Sequence, residues 1–571
     1  MSDEVKLSKI EILKDNSRQF RGSIFEELDG SVGAFNEDNA NLLKHHGTYQ
    51  QDNRDVRGEK NPDGTKKHEV IMMVRTRIPG GRVLGADLLE HLDLCEKYGN
   101  GTLRITSRQG LQLHGVPKDD LKQTIRELNE RTSLTTLGAC GDVNRNVMCC
   151  PAPYRNDAVR TAMQQKCDEL AEHFRPQTTA YREIWLNDGS GTDTKVAEFL
   201  PTEEPIYGKH YLPRKFKMGI ALPEDNCVDI MTYDLGLLAI VENGQIAGYN
   251  VFIGGGQGVT PANKKTYPAV AQKFCFVTPD QAVPVAEQII KVWRDHGNRE
   301  DRKQARIKYL LRDWGLEQFK TKVEEYYGQK LTAPHAAEVQ DVDDHLGWHA
   351  QGDGKWFLGI NVENGRIKDE GSVRVKTALR TLVGRFNMET RLTALQSIIL
   401  CDIADSDRSA IDALLKEHGI LSAEDLTPIR RLSISCPALP TCGLSVTDSE
   451  RVMPQAVDSI EAELIKLGMK DERIAVHMTG CPNGCARPYS PDIGLVGKAR
   501  GKYTLYIGGN VVGSRIGFIF KDMVPLDDIG TTVAPLLNYF KAERQSGETF
   551  GDFCARKGLA DLTAFAETYE Q

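Results

Sequence analysis

The spacing of hydrophobic and polar positions changes at about residue 65. Residues 1–65 are rich in Asp, Asn, Gln and Arg, which predicts an extended arm that packs on the body rather than a domain with its own core. From Glu69, the run EVIMMVRTRIP predicts a β-strand that ends at the turn Pro79-Gly80-Gly81. The elements predicted next are a helix at Gly85–Tyr98, strands at Thr102–Ile105 and Leu111–Gly115, and a helix at Lys118–Arg131. This order is typical of a ferredoxin-like α/β sandwich.

The second half of the chain repeats this pattern. A strand with a turn begins at Trp356, and a helix is predicted over about 373–384. Three segments match the first half in the same order: Arg391-Leu-Thr-Ala-Leu-Gln396 on Arg104-Ile-Thr-Ser-Arg-Gln109 at an offset of 287, Cys436-Pro-Ala on Cys150-Pro-Ala at 286, and Leu505-Tyr-Ile-Gly-Gly on Val251-Phe-Ile-Gly-Gly at a shorter offset. Together they predict a duplicated unit of more than about 200 residues, with a site where the two halves meet.

Four cysteines in the second half form two close pairs among Gly and Pro residues. The pairs are Cys436-x5-Cys442 and Cys481-x3-Cys485, separated by 38 residues. Zinc knuckles favour two to four residues between ligands, whereas iron–sulfur cubes take four thiolates with more varied spacing. The spacing therefore favours a [4Fe–4S] cluster, with a zinc site and unrelated structural thiols as the alternatives.

Bulk composition narrows the class of protein. The chain has 571 residues, 27% charged and 40% hydrophobic, which are ordinary globular values and predict three or four domains. Because no apolar run approaches about 18 residues and the chain begins with a densely charged stretch, we expect no membrane span and no signal peptide. Thirteen cysteines form an odd set, which predicts reduced thiols in a cytoplasmic protein rather than a disulfide framework. A net charge of −8 predicts no affinity for nucleic acid or an anionic membrane.

Two basic islands interrupt this acidic chain. They are HYLPRKFK, at His210–Lys217, and REDRKQARIK, at Arg299–Lys308. Each is either a solvated face or an interior site for an anion.

Cations at particular spacings favour the second interpretation. Lys215 and Lys217 are two residues apart in an extended segment, as are Arg75 and Arg77, so each pair is predicted to project to one face. Arg145 lies just before the repeated Cys-Pro-Ala. Such cations suit an oxyanion, with ordinary salt bridges at strand ends as the alternative. One half of the duplicated fold then carries thiolates, and the other half carries cations.

Five longer motifs add specificity to this pattern. They are His46-Gly-Thr-Tyr-Gln-Gln-Asp52, Asn144-Arg-Asn-Val147, Tyr211-Leu-Pro-Arg-Lys-Phe-Lys217, Gly297-Asn-Arg-Glu-Asp-Arg-Lys303 and Thr479-Gly-Cys-Pro-Asn-Gly-Cys485. With the Cys-x5-Cys and Cys-x3-Cys pairs, they closely resemble the sirohaem-containing sulfite and nitrite reductase family over nearly the whole chain. The resemblance implies an α+β fold in which ferredoxin-like and sirohaem-binding α/β units are duplicated about a pseudo-two-fold axis, with the cofactors at the interface of the halves.

The same resemblance implies the cofactors and the reaction. A [4Fe–4S] cluster would be held by Cys436, Cys442, Cys481 and Cys485, and Cys485 would also be the proximal ligand of the sirohaem iron. The implied activity is the six-electron reduction of sulfite to hydrogen sulfide for cysteine biosynthesis, by the haemoprotein component of an NADPH-type assimilatory sulfite reductase. The alternative is a nitrite reductase on the same scaffold, which forms ammonia. A non-catalytic iron–sulfur or zinc scaffold is the alternative from a different class.

Roles for individual side chains also follow from the resemblance. The substrate cage, which would hold the sulfite oxygens and relay protons, comprises Arg75, Arg145, Lys215 and Lys217. Sirohaem contacts are implied for Arg104, Thr106, Arg108, Gln112, His114, Asn298 and Arg302, besides Cys485. The alternative for His114 is a hydrogen-bonded core histidine, and neither Cys149 nor Cys150 is expected to be a ligand.

The source of electrons is predicted to be another protein. Gly254-Gly-Gly-Gln-Gly258 follows a strand but lacks the G-x-G-x-x-G spacing, so it indicates close backbone approach to a cofactor rather than a dinucleotide site. The resemblance implies a flavoprotein subunit, carrying FAD and FMN and oxidising NADPH, with ferredoxin as the alternative donor. The charged arm at residues 1–65 is a candidate docking element.

Five segments are therefore expected along the chain. They are the amino-terminal arm (1–65), a ferredoxin-like half-domain (66–135), a sirohaem and substrate domain (136–340), a second ferredoxin-like half-domain (341–425) and a cluster- and sirohaem-binding domain (426–571).

Overall fold

The computed structural model describes residues 7–28, 30, 32–177, 183–187, 193–198, 203–261 and 263–569. The first six residues of the charged amino-terminal stretch lie outside this set. The predicted arm is only partly extended, since it contains α1 (Lys9–Asn16), α2 (Glu37–Leu42) and β1 (Thr48–Asp52). Helix α2 begins where the Asn36 side chain accepts a hydrogen bond from Asn39 N. Strand β1 forms the edge of a sheet.

The first ferredoxin-like unit has the predicted elements in the predicted order, with one short strand, β3, that was not predicted. It contains β2 (Val70–Arg75), β3 (Arg82–Val83), α3 (Gly85–Lys97), β4 (Leu103–Ile105), β5 (Leu111–Val116) and α4 (Leu121–Arg131). Helix α3 buries Leu88, Leu92 and Cys95 at helical spacing, which produces the apolar stripe that packs on the sheet.

A larger α/β unit follows. Its elements are β6 (Asn144–Cys149), α5 (Ala158–His173), β7 (Glu183–Asn187), β8 (Asp193–Glu198), β9 (Phe216–Ala221), β10 (Leu235–Glu242), β11 (Gln245–Ile253), β12 (Gln272–Val277), α6 (Ala282–His296), α7 (Ile307–Trp314) and α8 (Leu316–Tyr327). The main sheet has the order β12-β11-β10-β9-β6, in which β6, β9 and β10 are parallel and the remaining pairs are antiparallel. Strands β7 and β8 form a separate hairpin.

The second ferredoxin-like unit repeats the first. It contains β13 (Gly347–Ala350), β14 (Trp356–Ile360), β15 (Arg366–Ile367), β16 (Asp369–Glu370), β17 (Val373–Arg374), α9 (Val375–Phe386), β18 (Thr390–Leu392), β19 (Ile398–Ile403) and α10 (Arg408–Glu417). The helix predicted to begin at residue 373 begins at Val375, because residues 373 and 374 pair as β17 with β16.

The last unit repeats the larger α/β unit. Its elements are α11 (Pro428–Arg431), β20 (Ile434–Ser435), α12 (Met453–Lys466), β21 (Val476–Thr479), β22 (Ile493–Ala499), β23 (Lys502–Ile507), β24 (Phe518–Pro525), α13 (Ile529–Glu543) and α14 (Phe550–Thr568). The sheet order β20-β21-β22-β23-β24 reproduces β6-β9-β10-β11-β12 with the same parallel and antiparallel pairs. The predicted α+β duplication is therefore confirmed.

Each ferredoxin-like sheet is completed by a strand from the other half. The first sheet has the order β1-β2-β5-β4-β15, and the second has the order β13-β14-β19-β18-β3. Strand β15 pairs Arg366 with Arg104, and β3 pairs Arg82 with Arg391. One buried core includes residues of both units, such as Leu103 and Leu400. The two halves consequently share their sheets and their core.

In the described part of the chain, no helix combines the length and apolarity that crossing a bilayer requires. The boundaries of the five predicted segments stay a prediction.

Candidate functional site

The four paired cysteines meet at one edge of the last sheet. Strands β20 and β21 are parallel neighbours, so their carboxyl ends lie at the same edge. Cys436 follows β20, and Cys481 lies just after β21. Gly480 N lies 3.3 Å from Cys436 Sγ, and a Cβ at Gly480 would lie 2.1 Å from Ser445 Oγ. Only glycine therefore lets the cluster loops approach this closely.

The thiols of these cysteines influence one another. Burial and then the neighbouring Cys485 thiol raise the pKa of Cys481 to about 12. The same two causes, in the same order, raise the pKa values of Cys436 and Cys442. Thiolates at this edge are thus costly unless a metal centre compensates their charge.

The spacing of the four thiols does not suit a single zinc ion. Two thiolates on one zinc lie at most about 4.6 Å apart, because each Zn–S bond is about 2.3 Å. Among the described residues, the group of metal-ligating side chains with all ligand atoms within 4.8 Å lies elsewhere and contains none of these four. A [4Fe–4S] cube, which gives each thiolate its own iron, fits the wider arrangement.

Cys485 differs from the other cysteines in its exposure. All thirteen cysteines lie in the described residues; eleven are buried, Cys442 is half-buried, and Cys485 is exposed. Ser107 Oγ donates to Cys485 O at 3.2 Å, and Arg487 Nη1 donates to Ser107 O at 3.2 Å. The loop after β4 therefore lies against Cys485 and leaves its thiol accessible.

Three of the predicted cage cations lie together in the first α/β unit, at the amino-terminal ends of β6 and β9. Arg145 is on β6, Lys217 is on β9 and Lys215 immediately precedes β9. Burial, then Lys217 and Arg145, hold the pKa of Lys215 well below its usual value. Burial, then Arg108, do the same for Lys217. Because crowded cations disfavour one another's charged forms, an anion placed among them would be bound strongly.

Arg75 joins this group through Tyr49. The Arg75 guanidinium carbon lies 5.9 Å from the centre of the Tyr49 ring, and Nη1 lies 2.9 Å from Cys140 Sγ. Burial raises the pKa of Tyr49, and Arg145 opposes this rise. With the Gln112 amide oxygen turned toward Arg75, Oε1 accepts from Nε at 2.9 Å. The structure thus brings Arg75, Arg145 and Gln112 to one site.

Arg77 does not share this site, so the prediction that it projects beside Arg75 was wrong. Strand β2 ends at Arg75, and the alternation of side chains ends with it. Arg77 is buried and donates to Ala171 O instead.

A buried carboxylate near the cage was missed from the sequence. Arg302 donates to Asp142 through Nη1 at 2.7 Å and Nη2 at 3.0 Å, and Lys14 Nζ lies 3.5 Å from Asp142 Oδ2. Burial would raise the pKa of Asp142, but Arg302 and Lys14 hold it well below its usual value. Arg214, also missed, has its pKa lowered to about 10 by burial and by Arg302. The one signal for Arg214 in the sequence is its place in the basic island His210–Lys217.

Of the predicted sirohaem contacts, Arg108 is best placed for an anionic cofactor. Its guanidinium carbon lies 4.6 Å from the centre of the Tyr233 ring. Within the described residues, its Nε and Nη1 atoms are buried without a hydrogen-bond partner. Burial lowers the pKa of Arg108 to about 10. A carboxylate would satisfy both orphaned donors.

Other predicted sirohaem contacts have structural partners. Arg104 is buried, forms an ion pair with Glu450 at 2.8 Å and donates to Ser435 O at 2.9 Å. Thr106 Oγ1 accepts from Gly110 N at 3.1 Å and closes a turn.

His114 and Asn298 differ in their relation to the cage. His114 is buried, burial holds its pKa well below the usual value, and its Nε2 lies 3.3 Å from the side-chain amide of Gln112. Asn298 is exposed, and its Oδ1 accepts from the backbone of Glu300 and Asp301 at 2.9 and 2.8 Å. The structure therefore places His114 behind Gln112 as a neutral core side chain, and it holds Asn298 in a surface turn.

The glycine-rich segment at residues 254–258 lies against the cluster loop. Val259 N donates to Pro482 O at 2.9 Å, and a Cβ at Gly258 would lie 3.3 Å from Asn483 O. Gln257 Nε2 donates to Ser490 Oγ at 2.7 Å. The glycine-rich segment of the first half and the cysteine loop of the second half therefore meet at one interface.

Family comparisons agree with this duplicated architecture. The description "Nitrite and sulphite reductase 4Fe-4S domain" matches residues 168–331 and 430–571. The description "Nitrite/Sulfite reductase ferredoxin-like half domain" matches residues 65–131 and 349–418. The paired matches coincide with the two α/β units and the two ferredoxin-like units.

Similar proteins span nearly the whole chain. The chain is 40% identical over 578 residues to a sulfite reductase (ferredoxin) of Synechococcus elongatus, covering 99% of this chain and 92% of that protein. It is 42% identical over 553 residues to a sulfite reductase (NADPH) hemoprotein beta-component of Geobacillus thermodenitrificans, covering 97% and 96%. A protein with the same description from Staphylococcus saprophyticus is 40% identical over 565 residues, covering 99% and 98%.

A solved structure shares the fold. The NirA protein of Mycobacterium tuberculosis superposes with a TM-score of 0.80 at 24% identity, over 98% of both chains. The pseudo-two-fold arrangement is therefore found in an experimental structure as well.

Proposed function

Because the chain belongs to the nitrite and sulphite reductase family, we propose that it reduces sulfite to hydrogen sulfide with a [4Fe–4S] cluster and sirohaem as cofactors. Sulfite takes up six electrons and eight protons to give hydrogen sulfide and three waters. The reaction therefore needs an electron route, an oxyanion site and a proton supply. The observation that carries the proposal is that Cys485, the exposed thiol of a four-cysteine edge, adjoins the loop that leads to Arg108 and the crowded cations.

The four-cysteine edge provides the electron route. The cluster would be held by Cys436, Cys442, Cys481 and Cys485, which lie at the ends of β20 and β21 and in their loops. Burial and the neighbouring Cys485 thiol raise the pKa values of Cys436 and Cys481, so thiolates here need a cationic iron–sulfur core to offset their charge. Cys485 would be the residue that also holds sirohaem, and its exposure, which the other three cysteines do not share, supports this assignment.

Sirohaem is a polycarboxylate, and the interface supplies cations for it. Arg108 is the strongest candidate, because two of its buried nitrogen atoms have no hydrogen-bond partner in the described residues. Two further predicted sirohaem contacts have partners beside the cage. Arg302 donates to Asp142, and Gln112 accepts from Arg75. When bound, sirohaem would supply an iron centre that transfers single electrons to the substrate.

The cage binds the oxyanion and delivers protons. Arg75 and Arg145 hold sulfite oxygens through fixed guanidinium donors. Lys215 and Lys217 have pKa values well below the usual lysine value because of burial and nearby cations, so each gives up a proton readily to an oxygen that leaves as water. In a low-dielectric pocket these charges act strongly on the bound anion.

Electrons are supplied by a partner protein. A flavoprotein that carries FAD and FMN and oxidises NADPH is the proposed donor, since the Staphylococcus saprophyticus and Geobacillus thermodenitrificans relatives carry the description of an NADPH hemoprotein beta-component. Ferredoxin is the alternative donor, because one relative of equal identity is described as ferredoxin-dependent.

The amino-terminal arm is the proposed docking element. Arg54, in the arm, donates to Cys442 O at 3.2 Å, and this contact between the arm and a proposed cluster ligand supports a docking role. A cytoplasmic location and a role in sulfate assimilation are part of the same proposal.

The decisive experiment compares substrates on the purified chain. We expect chlorin-type absorption, about five iron atoms per chain, and a higher kcat/KM for sulfite than for nitrite with a reduced viologen dye as donor. A higher kcat/KM for nitrite would instead support the nitrite reductase alternative. A purified protein without chlorin-type absorption would support the non-catalytic iron–sulfur or zinc scaffold.

A further inference from the structure

A second group of metal-ligating side chains lies outside the proposed active site. Each of its four members places one ligand atom within 4.8 Å of the other three. All four side chains are buried, and they form the one such group found in the described residues: Cys150, Asp225, Cys227 and His345. None of them was among the predicted site residues.

The topology explains why these side chains meet. Strands β6 and β9 are parallel neighbours, so their carboxyl ends share an edge of the sheet. Cys150 directly follows β6, and Asp225 and Cys227 lie in the loop after β9. His345 belongs to the segment that leads into β13. The group therefore connects the first α/β unit to the start of the second half.

The observed distances suit ligands of one ion. Cys150 Sγ lies 3.4 Å from His345 Nε2, and the same nitrogen lies 3.2 Å from Asp225 Oδ2. Ligands of one tetrahedral zinc ion are roughly 3.3–3.8 Å apart, given bonds of about 2.0–2.3 Å.

One carboxylate oxygen at this site is close to an imidazole nitrogen without a well-formed hydrogen bond. Asp225 Oδ1 accepts from Cys227 N at 3.1 Å, which orients the carboxylate. Asp225 Oδ2 lies 3.2 Å from His345 Nε2 but makes no hydrogen bond of acceptable geometry to any residue that the structure describes. A zinc ion bound to both this oxygen and the imidazole nitrogen would satisfy the buried carboxylate.

Residues around the group complete the environment of a metal. His345 Nδ1 lies 3.4 Å from Asp343 Oδ2, and a carboxylate behind an imidazole is the usual partner that orients a metal-binding histidine. Two thiolates and one carboxylate on a divalent ion leave one net negative charge. Arg160, whose guanidinium contacts Cys150 and pairs with Asp157 at 2.6 Å, offsets part of that charge.

The duplicated fold supports this interpretation. Cys150 occupies the position after β6 that Cys436 occupies after β20, and Cys227 lies in the loop after β9 as Cys481 lies after β21. Both copies of the sheet therefore carry two thiols at the same edge. In the second copy these thiols are proposed cluster ligands, and in the first copy a histidine and an aspartate accompany them.

We infer that this protein holds a second metal centre, a structural zinc ion bound by Cys150, Asp225, Cys227 and His345. Two sulfur ligands with one imidazole and one carboxylate favour zinc over harder divalent ions. Four protein ligands leave no open position, so the ion is structural rather than catalytic. The zinc ion connects the segments that follow β6 and β9 to the segment that precedes β13. This inference replaces the expectation that Cys150 has no ligand role.

The test measures zinc in the cofactor-loaded protein, separately from iron. The protein is purified from zinc-supplemented medium, because four buried ligands are loaded during folding, and is then desalted over chelating resin. We expect about one zinc per chain by mass spectrometry. The zinc X-ray absorption edge should show two sulfur ligands at about 2.3 Å and two nitrogen or oxygen ligands at about 2.0–2.1 Å.

Two variants and one control locate the ion. Cys227→Ala removes a thiolate, and His345→Asn removes the imidazole while keeping a residue type that tolerates the positive φ of 57° at this position. Each should reduce zinc to below about one tenth per chain, while iron and sirohaem contents stay at the level of the unaltered protein. Cys275→Ala, which removes another buried thiol of the same sheet, should retain zinc.

Several results would overturn the inference. They are a zinc-free unaltered protein, zinc bound only by nitrogen and oxygen ligands, zinc retained in both variants, and a Cys150–Cys227 disulfide in the purified protein. None of them depends on sulfite turnover, so the proposed reaction stands or falls separately.

Discussion

The side-chain amide of Gln396 holds both backbone polar groups of Ser435. Nε2 donates to Ser435 O at 3.0 Å, and Oε1 accepts from Ser435 N at 3.0 Å. Gln109, its equivalent in the first half, makes the same pair of bonds to Cys149 at 2.8 and 3.2 Å. Both glutamines have positive φ values, 67° and 52°. In each half, the ferredoxin-like unit thus hydrogen-bonds the backbone of the residue that precedes the repeated Cys-Pro-Ala.

Gln396→Leu should loosen the proposed cluster. It leaves the buried N–H group of Ser435 unpaired immediately before Cys436, at a cost of about 1–3 kcal/mol, while Ser435 O keeps the hydrogen bond from Arg104. We expect a lower melting temperature and a reduced content of iron and acid-labile sulfide. The matched control is Gln109→Leu, which should lower the melting temperature similarly but keep the cluster. Equal cluster loss in both variants would contradict a local effect on Cys436.

Cys485→Ala should separate the two proposed cofactors. Because Cys485 is the ligand proposed to serve both, its loss should reduce sulfite turnover by at least about a hundredfold. The measurement is steady-state sulfite reduction with a viologen dye, together with electron paramagnetic resonance of the haem iron. Cys554→Ala, which removes a buried thiol from α14 of the same half, should keep full activity. A fully active Cys485→Ala protein would refute the shared ligand.

Lys217→Met should impair chemistry without impairing folding. Burial and the charges of Arg108 and Arg306 already hold the Lys217 pKa well below its usual value, so removing the amine relieves repulsion. We expect kcat for sulfite to fall by about 10²–10⁴, with an unchanged or raised melting temperature. Lys215→Met should behave alike. Loss of sirohaem or unfolding in both variants would show that these positions are structural.

Arg302→Met should destabilise the fold in a pH-dependent way. The depressed pKa of Asp142 means that its stabilising ion pairs are complete above about pH 5 and are lost as pH falls through the folded-state pKa. At pH 7 we expect a loss of up to about 3 kcal/mol in unfolding free energy, since Lys14 remains as a partner.

The effect should become smaller as pH falls toward 4, because the Asp142 carboxylate of the variant, which has lost its closest cation, takes up a proton more readily. Denaturation midpoints at several pH values measure this change. As a control, Arg175→Met removes the exposed ion pair with Glu172 and should change stability by less than about 1 kcal/mol at any pH. A destabilisation that does not vary with pH would exclude the Asp142 explanation.

Much of the architecture was predictable from the sequence, because it depends on local patterns. Alternating and helical spacing predicted the order of the ferredoxin-like elements, and repeated segments predicted the duplication that the two sheets confirm. The Cys436 and Cys481 pairs predicted a cluster site, because ligand type and spacing are properties of short segments. The basic islands indicated interior cations for the same reason.

The partners of those residues were decided only by the tertiary structure. Arg104 and Arg108 lie in one short motif, yet Arg104 is bound to Ser435 O, 331 residues away, and Arg108 keeps donors unpaired among the described residues. Asn298 was placed at the site by its motif, but it closes a surface turn.

Long-range packing also produced features that no local pattern contains. Each ferredoxin-like sheet receives a two-residue strand from the other half, and such a strand is too short to show a period. The group of Cys150, Asp225, Cys227 and His345 comes from three distant segments. Sequence spacing determines which side chains are available, whereas the folding of distant segments against one another decides which charges are paired and which remain for a ligand.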